Sequence, residues 1–256
     1  MCSLVTDVSS PIRGGQLRLA IFSDIHANLH ALHAVLDDIA RHQPDAVYCL
    51  GDLVGYGAFP NEVIALLRER QIPTIMGNYD DGVGFDRDDC GCAYKTAEMR
   101  RLGDLSLQWT KGHVTAENKA FLRSLLPNIR LEITGKRALL VHGSPRKINE
   151  YLFEERPDAG LDRLLDMAQA DVLVCGHTHM PYHRVLPNGR HVVNDGSVGK
   201  PKDGDSRAGY AVLEAEGRDL RVTFVRVAYD VERTARAIEA STLPHEFAAK
   251  LRAATG

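Results

Sequence analysis

The sequence has few cysteines and nothing to staple with them. There are five in 256 residues, an odd count in no framework spacing. That excludes a disulfide scaffold and leads us to expect reduced thiols and a cytoplasmic location. Charge of either sign is also scarce in excess. The formal net charge is -3, so no global basic field marks the chain as a binder of nucleic acid or of an anionic membrane, although local basic patches stay open. No apolar run approaches the roughly 20 residues that span a bilayer. The opening "MCSLVTDVSSPIRGGQ" lacks the apolar core of a signal peptide, and we read residues 1–16 as a flexible tail. Internal repeats, low-complexity segments and convincing linkers are missing too.

What is present is an ordinary globular composition, 44% hydrophobic and 25% charged, in a chain long enough to bury a substantial core. Strand and helix signals alternate. "LRLAIFSDIH" (17–26), "DAVYCLGD" (45–52) and "IPTIMGN" (72–78) read as strands; "LHALHAVLDDIARH" (29–42) and "PNEVIALLRER" (60–70) read as helices. Strands separated by helices imply parallel pairing. "YDDGVGFDRDDCGCAY" (79–94) reads as a loop, followed by a helical insertion over about 95–126. A hairpin is expected around Gly135–Lys136, and a helix over 158–169 leads to the apolar run of "DVLVCGHTHM". An Asn-Gly turn at 188–189 and a turn at Gly217 predict two more antiparallel pairs, with helices near 231–240 and 244–254. The expectation is one α/β domain over 17–256 with mixed sheets and outer helices.

Each of the five strand-like runs in the first three-quarters ends in a residue that can bind metal: Asp24 and His26, Asp52, Asn78, His142, then His177 and His179. In α/β sheets, ligands bind beyond the carboxyl ends of the strands. His177 and His179, two apart on an extended segment, are expected to point the same way. Seven ligands exceed the needs of one first-row ion, but two ions sharing Asp52 as a bridge would use them all. Such a pair polarises a phosphoryl group and generates hydroxide from water. Nitrogen and oxygen ligands without thiolate favour two divalent transition-metal ions, Mn²⁺ first, with Fe, Zn, Ni or Co as alternatives.

In this order "DIH", "GDLVGYG", "GNYD", "VHG" and "GHTH" resemble the motifs of the calcineurin-like metallophosphoesterases, over about residues 17–199. The resemblance implies an α/β/β/α sandwich of two mixed sheets flanked by helices. It implies that Asp24, His26 and His179 hold one ion and Asn78, His142 and His177 the other, with Asp52 between them. It implies a hydrolase acting on phosphodiester or phosphoanhydride bonds of small nucleotide-like substrates through a metal-bridging hydroxide. Alternatives within the same fold are a protein or monoester phosphatase, a nuclease, and a non-catalytic metal-binding scaffold; the near-neutral charge weighs against nucleic acid. A homo-oligomer is compatible with all of these.

One position departs from the family. Many members carry histidine after the motif asparagine; this chain has Tyr79. We expect Asn78 and Tyr79 to act at the reacting phosphate. A phenol with a pKa near 10 is a poor proton shuttle at neutral pH, which favours substrates whose leaving groups need little protonation. Asn28 reads either as the cap of the first helix or as a phosphate contact, Arg146 and Lys147 as phosphate-steering charges or a solvated pair. "NDGSVGKPKDGDSRAGY" (194–210) reads as a site-lining loop presenting Lys200, Lys202 and Arg207, or as a long β-connection. His30 and His33 read as surface or packing residues. Cys90 and Cys92 lack the spacing of a closed zinc site and read as loop thiols, with a lid over the site as the alternative.

Overall fold

The computed structural model describes residues 16–217 and 219–255. The expected tail therefore lies outside the described residues, except for Gln16, which opens the first strand. The chain runs β1 (Gln16–Phe22), α1 (Leu29–His42), β2 (Ala46–Cys49), α2 (Pro60–Glu69) and α3 (Asn78–Gly84). Two further helices, α4 (Ala97–His113) and α5 (Ala116–Ser124), occupy the predicted insertion. Then come β3 (Asn128–Ile133), β4 (Lys136–Val141), α6 (Asp158–Ala168), β5 (Val172–Cys175), β6 (Tyr182–Val185) and β7 (His191–Asn194). β8 (Ala208–Glu216), β9 (Asp219–Val227), α7 (Val231–Glu239) and α8 (Glu246–Ala253) follow.

The strands form two sheets, ordered β2-β1-β8-β9 and β3-β4-β5-β7-β6. Both are mixed: β1 is parallel to β2 and antiparallel to β8, while β5 is parallel to both β4 and β7. Side-chain alternation explains why they stack. Leu19 and Ile21 of β1 join Leu131, Leu140, Val172 and Val174 in the core between the sheets. Their neighbours Ala20 and Phe22 face the other way, against Leu32, Val35 and Ile39 of α1. On the second sheet Leu173 and Cys175 pack under Leu161, Leu164 and Leu165 of α6. A strand buried on both faces must be apolar throughout, as β5 is.

Local chemistry sets the helix ends that matter. In α1 the Asn28 side chain accepts the Ala31 N–H, Gln43 closes the helix in the left-handed conformation, and Arg41 and His42 sit in the last turn, favourably for its dipole. Its stripe of Leu32, Val35, Leu36 and Ile39 is buried, each side chain worth roughly 1.5–3 kcal/mol.

Two expectations are corrected. Residues 72–78 do not make a full strand: Thr74 bridges Cys49 and Ile75 bridges Leu126, linking β2 to the start of β3. Pro73 has no N–H for a ladder, and α3 begins a few residues later. Residues 78–84 are helical, not loop. Their glycines disfavour helix, yet Gly82 backs onto Cys90 and Leu107 and Gly84 onto Leu122 and Arg123. Close packing against α4 and α5 overrides a weak local propensity.

Candidate metal centre

The exits of β1, β2, β4 and β5, together with the start of α3, meet at one end of the sheets. Asp24, His26, Asp52, His177 and His179 all have positive φ, between 49° and 65°. Backbone held there costs about 1–3 kcal/mol per residue and is found where a site demands it. The extended geometry expected for His177 and His179 is thus corrected: β5 ends at Cys175, the His177 N–H binds Asp24 Oδ2 at 2.8 Å, and each ring goes to a different neighbourhood. Two glycines permit the crowding. A Cβ on Gly51 would lie 2.3 Å from the Gly77 nitrogen, and one on Gly77 would lie 2.1 Å from Asp52 Oδ1.

The buried side chains fall into two groups. Asp24, His26 and His179 converge, and so do Asp52, His142 and His177. In the first, His179 Nε2 is 3.2 Å from both Asp24 Oδ1 and His26 Nε2. In the second, His142 Nε2 is 3.0 Å from Asn78 Oδ1 and 3.4 Å from Asp52 Oδ2. Asp52 Oδ2 also lies 3.7 Å from His26 Nε2, so this one oxygen faces both groups.

Hydrogen bonding on the far side of three of the four rings orients them. Nδ1 of His26, His142 and His179 contacts the carbonyl oxygens of Val54, Leu50 and Lys200, respectively. A carbonyl only accepts, so each Nδ1 donates, and in a neutral ring Nε2 then turns a bare lone pair inward. Asn78 is oriented the same way: its Nδ2 donates to the Cys90 carbonyl and Cys92 Sγ, which aims Oδ1 at His142. Asp52 Oδ1 accepts the Tyr79 N–H at 2.8 Å, leaving Oδ2 for the centre. Asp24 Oδ1 and His177 Nε2 are buried with no hydrogen-bond partner. The Nε2 lone pairs of His26 and His179, facing each other at 3.2 Å, are costly unless a cation lies between them. The donor set therefore fits divalent metal ions.

Ionisation agrees. Burial, then the charge of His142, lowers His177 to about 3; burial, then Lys202, lowers His179 likewise. Both rings are neutral near pH 7, as ligands must be. Burial opposes ionisation of Asp24, but His179 and His26 hold its carboxyl well below the usual range. His142 differs: burial pulls it down, yet Asp52 raises it to about 10, so a metal ion there competes with a proton.

Residues not singled out from the sequence hold these ligands. Asp80 accepts N–H groups from Asp52, Leu53 and Gly77 at 2.8–2.9 Å, tying the β2 exit to α3. Burial, then Asp52, raises it to about 7, against three donors that favour its anion. Ser23 donates to Asp24 or Asp195 at 2.6–2.7 Å. Asp80 stands inside the "GNYD" motif, which was its one sequence signal.

Above the ligands lies a cavity of about 370 Å³. His26, Asp52, His177 and His179 line its base, Tyr56, Tyr79, Tyr151 and Phe153 its aromatic wall, and Lys200 and Lys202 another side. Met99 and Leu102 of α4 and Phe247 of α8 also border it, so the helical insertion forms part of the cavity's lining. Tyr79 is buried with its hydroxyl unpartnered, and burial followed by Tyr56 pushes the phenol well above its ordinary pKa. Cys92 lines the cavity and Cys90 Sγ is 3.3 Å from it; both are free thiols, and their loop grips Asn78.

Two residues expected to touch substrate are not among those lining this cavity. Asn28 is the helix cap: its Oδ1 accepts from Ala31 and Thr234, and its Nδ2 donates to the Gly199 carbonyl and Tyr229 hydroxyl. Arg146 lies outside the cavity, paired with Glu150. Of the 194–210 loop, Lys200 and Lys202 reach the cavity while Arg207 pairs with Asp205. His30 packs on Phe59 and contacts Thr234 Oγ1.

Comparison with known proteins is consistent with this geometry. The chain is 34% identical over 250 residues to an uncharacterized protein of Methanocaldococcus jannaschii, an alignment covering 91% of this chain and 96% of that one. Its fold matches a metallophosphoesterase from Sphaerobacter thermophilus with a TM-score of 0.73 at 30% identity, over 93% and 99% of the two chains. It also matches a hypothetical protein from Pyrococcus horikoshii with a TM-score of 0.78 at 22% identity, over 92% and 97%. Residues 17–218 match the calcineurin-like phosphoesterase superfamily domain. The chain belongs to that superfamily and is, by that membership, a phosphoester hydrolase.

Proposed function

We propose that the protein is a two-metal phosphoesterase of the cytoplasm, working as one domain over residues 17–256 on phosphodiester or phosphoanhydride bonds of small nucleotide-like substrates. The observation that carries this reading is the inward convergence of imidazole Nε2 atoms and carboxylate oxygens in two buried groups, with Asp52 Oδ2 facing both. Asp24, His26 and His179 would hold one ion and Asn78, His142 and His177 the other, with Asp52 shared and Mn²⁺ the first candidate. When bound, the ions supply a nucleophilic hydroxide and neutralise charge developing on the phosphoryl oxygens.

The chain itself does the rest. Backbone carbonyls behind His26, His142 and His179 keep the rings in the ligating tautomer. Tyr79 sits on the cavity wall with a free hydroxyl, placed to donate a hydrogen bond to a non-bridging phosphate oxygen. A phenol pushed further from neutrality is a still poorer proton shuttle, which disfavours alkyl monoesters. Enclosure by α4 and α8 favours a small substrate over a folded phosphoprotein.

The test is hydrolysis of bis-p-nitrophenyl phosphate by chelator-stripped protein titrated with Mn²⁺. Metal-dependent turnover is expected; a folded, metal-loaded protein without turnover on this or any other phosphoester would leave the scaffold reading. Tyr79→His should raise the rate on alkyl monoesters relative to bis-p-nitrophenyl phosphate. A fall in that ratio would refute the assignment of Tyr79.

A further inference from the structure

With two divalent ions bound, the cavity would hold more positive charge than one phosphodiester needs, although burial pulls the Lys200 and Lys202 ammonium groups below their usual range. Asp24 and Asp52 offset only half the charge of two divalent ions. Beyond them, Lys200 and Lys202 border the same cavity, half-buried. Elsewhere in the fold, partly buried cations find carboxylates: Arg156 meets Glu150, Arg190 meets Asp162 and Arg226 meets Asp203. Among the described residues neither Lys200 nor Lys202 forms an ion pair; Lys200 Nζ lies 4.6 Å over the Tyr56 ring. A cation–π contact orients an ammonium without neutralising it.

The placement is specific. The Lys200 carbonyl accepts from His179 Nδ1, and Tyr56, which carries the ammonium, is itself edge-on to His26 at 5.0 Å. The loop bearing both lysines is fixed to the β1 exit by the Val198 and Gly199 N–H groups, bound to the Ser23 and Asp24 carbonyls at 3.0 Å. The Lys200 ammonium is therefore held one aromatic ring away from His26. On the other wall Tyr151 sits 4.0 Å from His177 and stacks on Phe153 at 12° between planes. Phe153 is 47% exposed at the rim, an open flat face.

Resting on the phosphoesterase reading, we propose that Lys200 and Lys202 form a second anion subsite, which takes a phosphate that is not the one hydrolysed. The substrate class is then an organic pyrophosphate or polyphosphate carrying a planar ring, with the ring against Phe153 and the distal phosphate against the lysines. Charge-assisted hydrogen bonds to a half-enclosed phosphate are strong enough for at least about tenfold selectivity.

The experiment compares AMP with α,β-methylene-ADP as ligands of the Mn²⁺-loaded protein, by titration calorimetry and by inhibition of bis-p-nitrophenyl phosphate hydrolysis. Wild type should bind the diphosphate at least about tenfold more tightly. Lys200→Met/Lys202→Met should lose most of that ratio, and Lys202→Arg should keep it. If the double variant does not fold, Lys202→Gln alone, checked by circular dichroism, should lower the ratio. An equal ratio in wild type and the folded variants, or no preference in wild type, overturns the subsite while turnover of bis-p-nitrophenyl phosphate keeps the phosphoesterase reading. Absence of that turnover in wild type would instead strike the phosphoesterase reading itself.

Discussion

The base of the cavity and its wall are built on different principles. The base consists of buried strand exits, five of its candidate ligands in left-handed backbone, most of them hydrogen-bonded from behind by main chain or by Asp80 or Ser23. The wall is drawn from α3, α4, α8, the 92–95 and 151–153 segments and the lysine loop. Its aromatic and aliphatic side chains meet solvent at one end, as Phe153 and Met180 do. A rigid base fixes the geometry of the chemistry; a wall built from several separate elements can vary without disturbing it. Under the proposed function the base sets the reaction type and the wall the choice of substrate.

The sharpest way to break that division is to damage each part and read out rate and selectivity separately. His177→Ala removes a ligand from the base and should cut turnover on every phosphoester by at least about a hundredfold, measured with two unrelated substrates. A loss confined to one substrate would place His177 in the wall. Asp80→Asn keeps shape but removes the charge that gathers three N–H groups. It should weaken metal binding by about 10–100-fold in equilibrium dialysis, with the circular dichroism spectrum unchanged.

Wall changes should be smaller and selective. Phe153→Ala should raise KM for a nucleotide substrate by about 2–10-fold, the worth of one stacking contact, with kcat nearly constant. A fall in kcat of the same size would contradict it. The smallest effect concerns the segment that carries Tyr151 and Phe153. Arg146 holds the Glu150 carboxyl down to about 2, assisted by Ser144 and Arg156. A depressed folded pKa stabilises above the unfolded value near 4.3, and this contribution is lost as pH falls through about 2. Glu150→Gln should therefore melt slightly below wild type at neutral pH, and the difference should close between about pH 4 and pH 2.

The same contrast explains what could be read from the sequence. The candidate ligands stand directly after apolar runs, so periodicity placed Asp24, His26, Asp52, His142, His177 and His179 at strand ends, and the order of the family motifs singled them out together with Asn78. Periodicity could not foresee that His177 and His179 leave the strand in left-handed backbone, because that depends on the Asp24 carboxylate from another strand. The glycines of 78–84 signalled a loop, and only the packing of α4 and α5 makes a helix there. Phe247 enters the wall from an amphipathic helix like any other, with nothing local to mark it. Nor could the sequence show that Asn28 engages Thr234 and Tyr229 from far along the chain, or that Arg146 pairs with Glu150.

The central claim is that the converging lone pairs are a two-ion centre. Anomalous diffraction from crystals grown with Mn²⁺ tests it most directly. The account predicts two peaks, one among Asp24, His26 and His179 and one among Asn78, His142 and His177, each adjacent to Asp52. An absence of peaks there at saturating Mn²⁺, or ions bound only elsewhere, would contradict it.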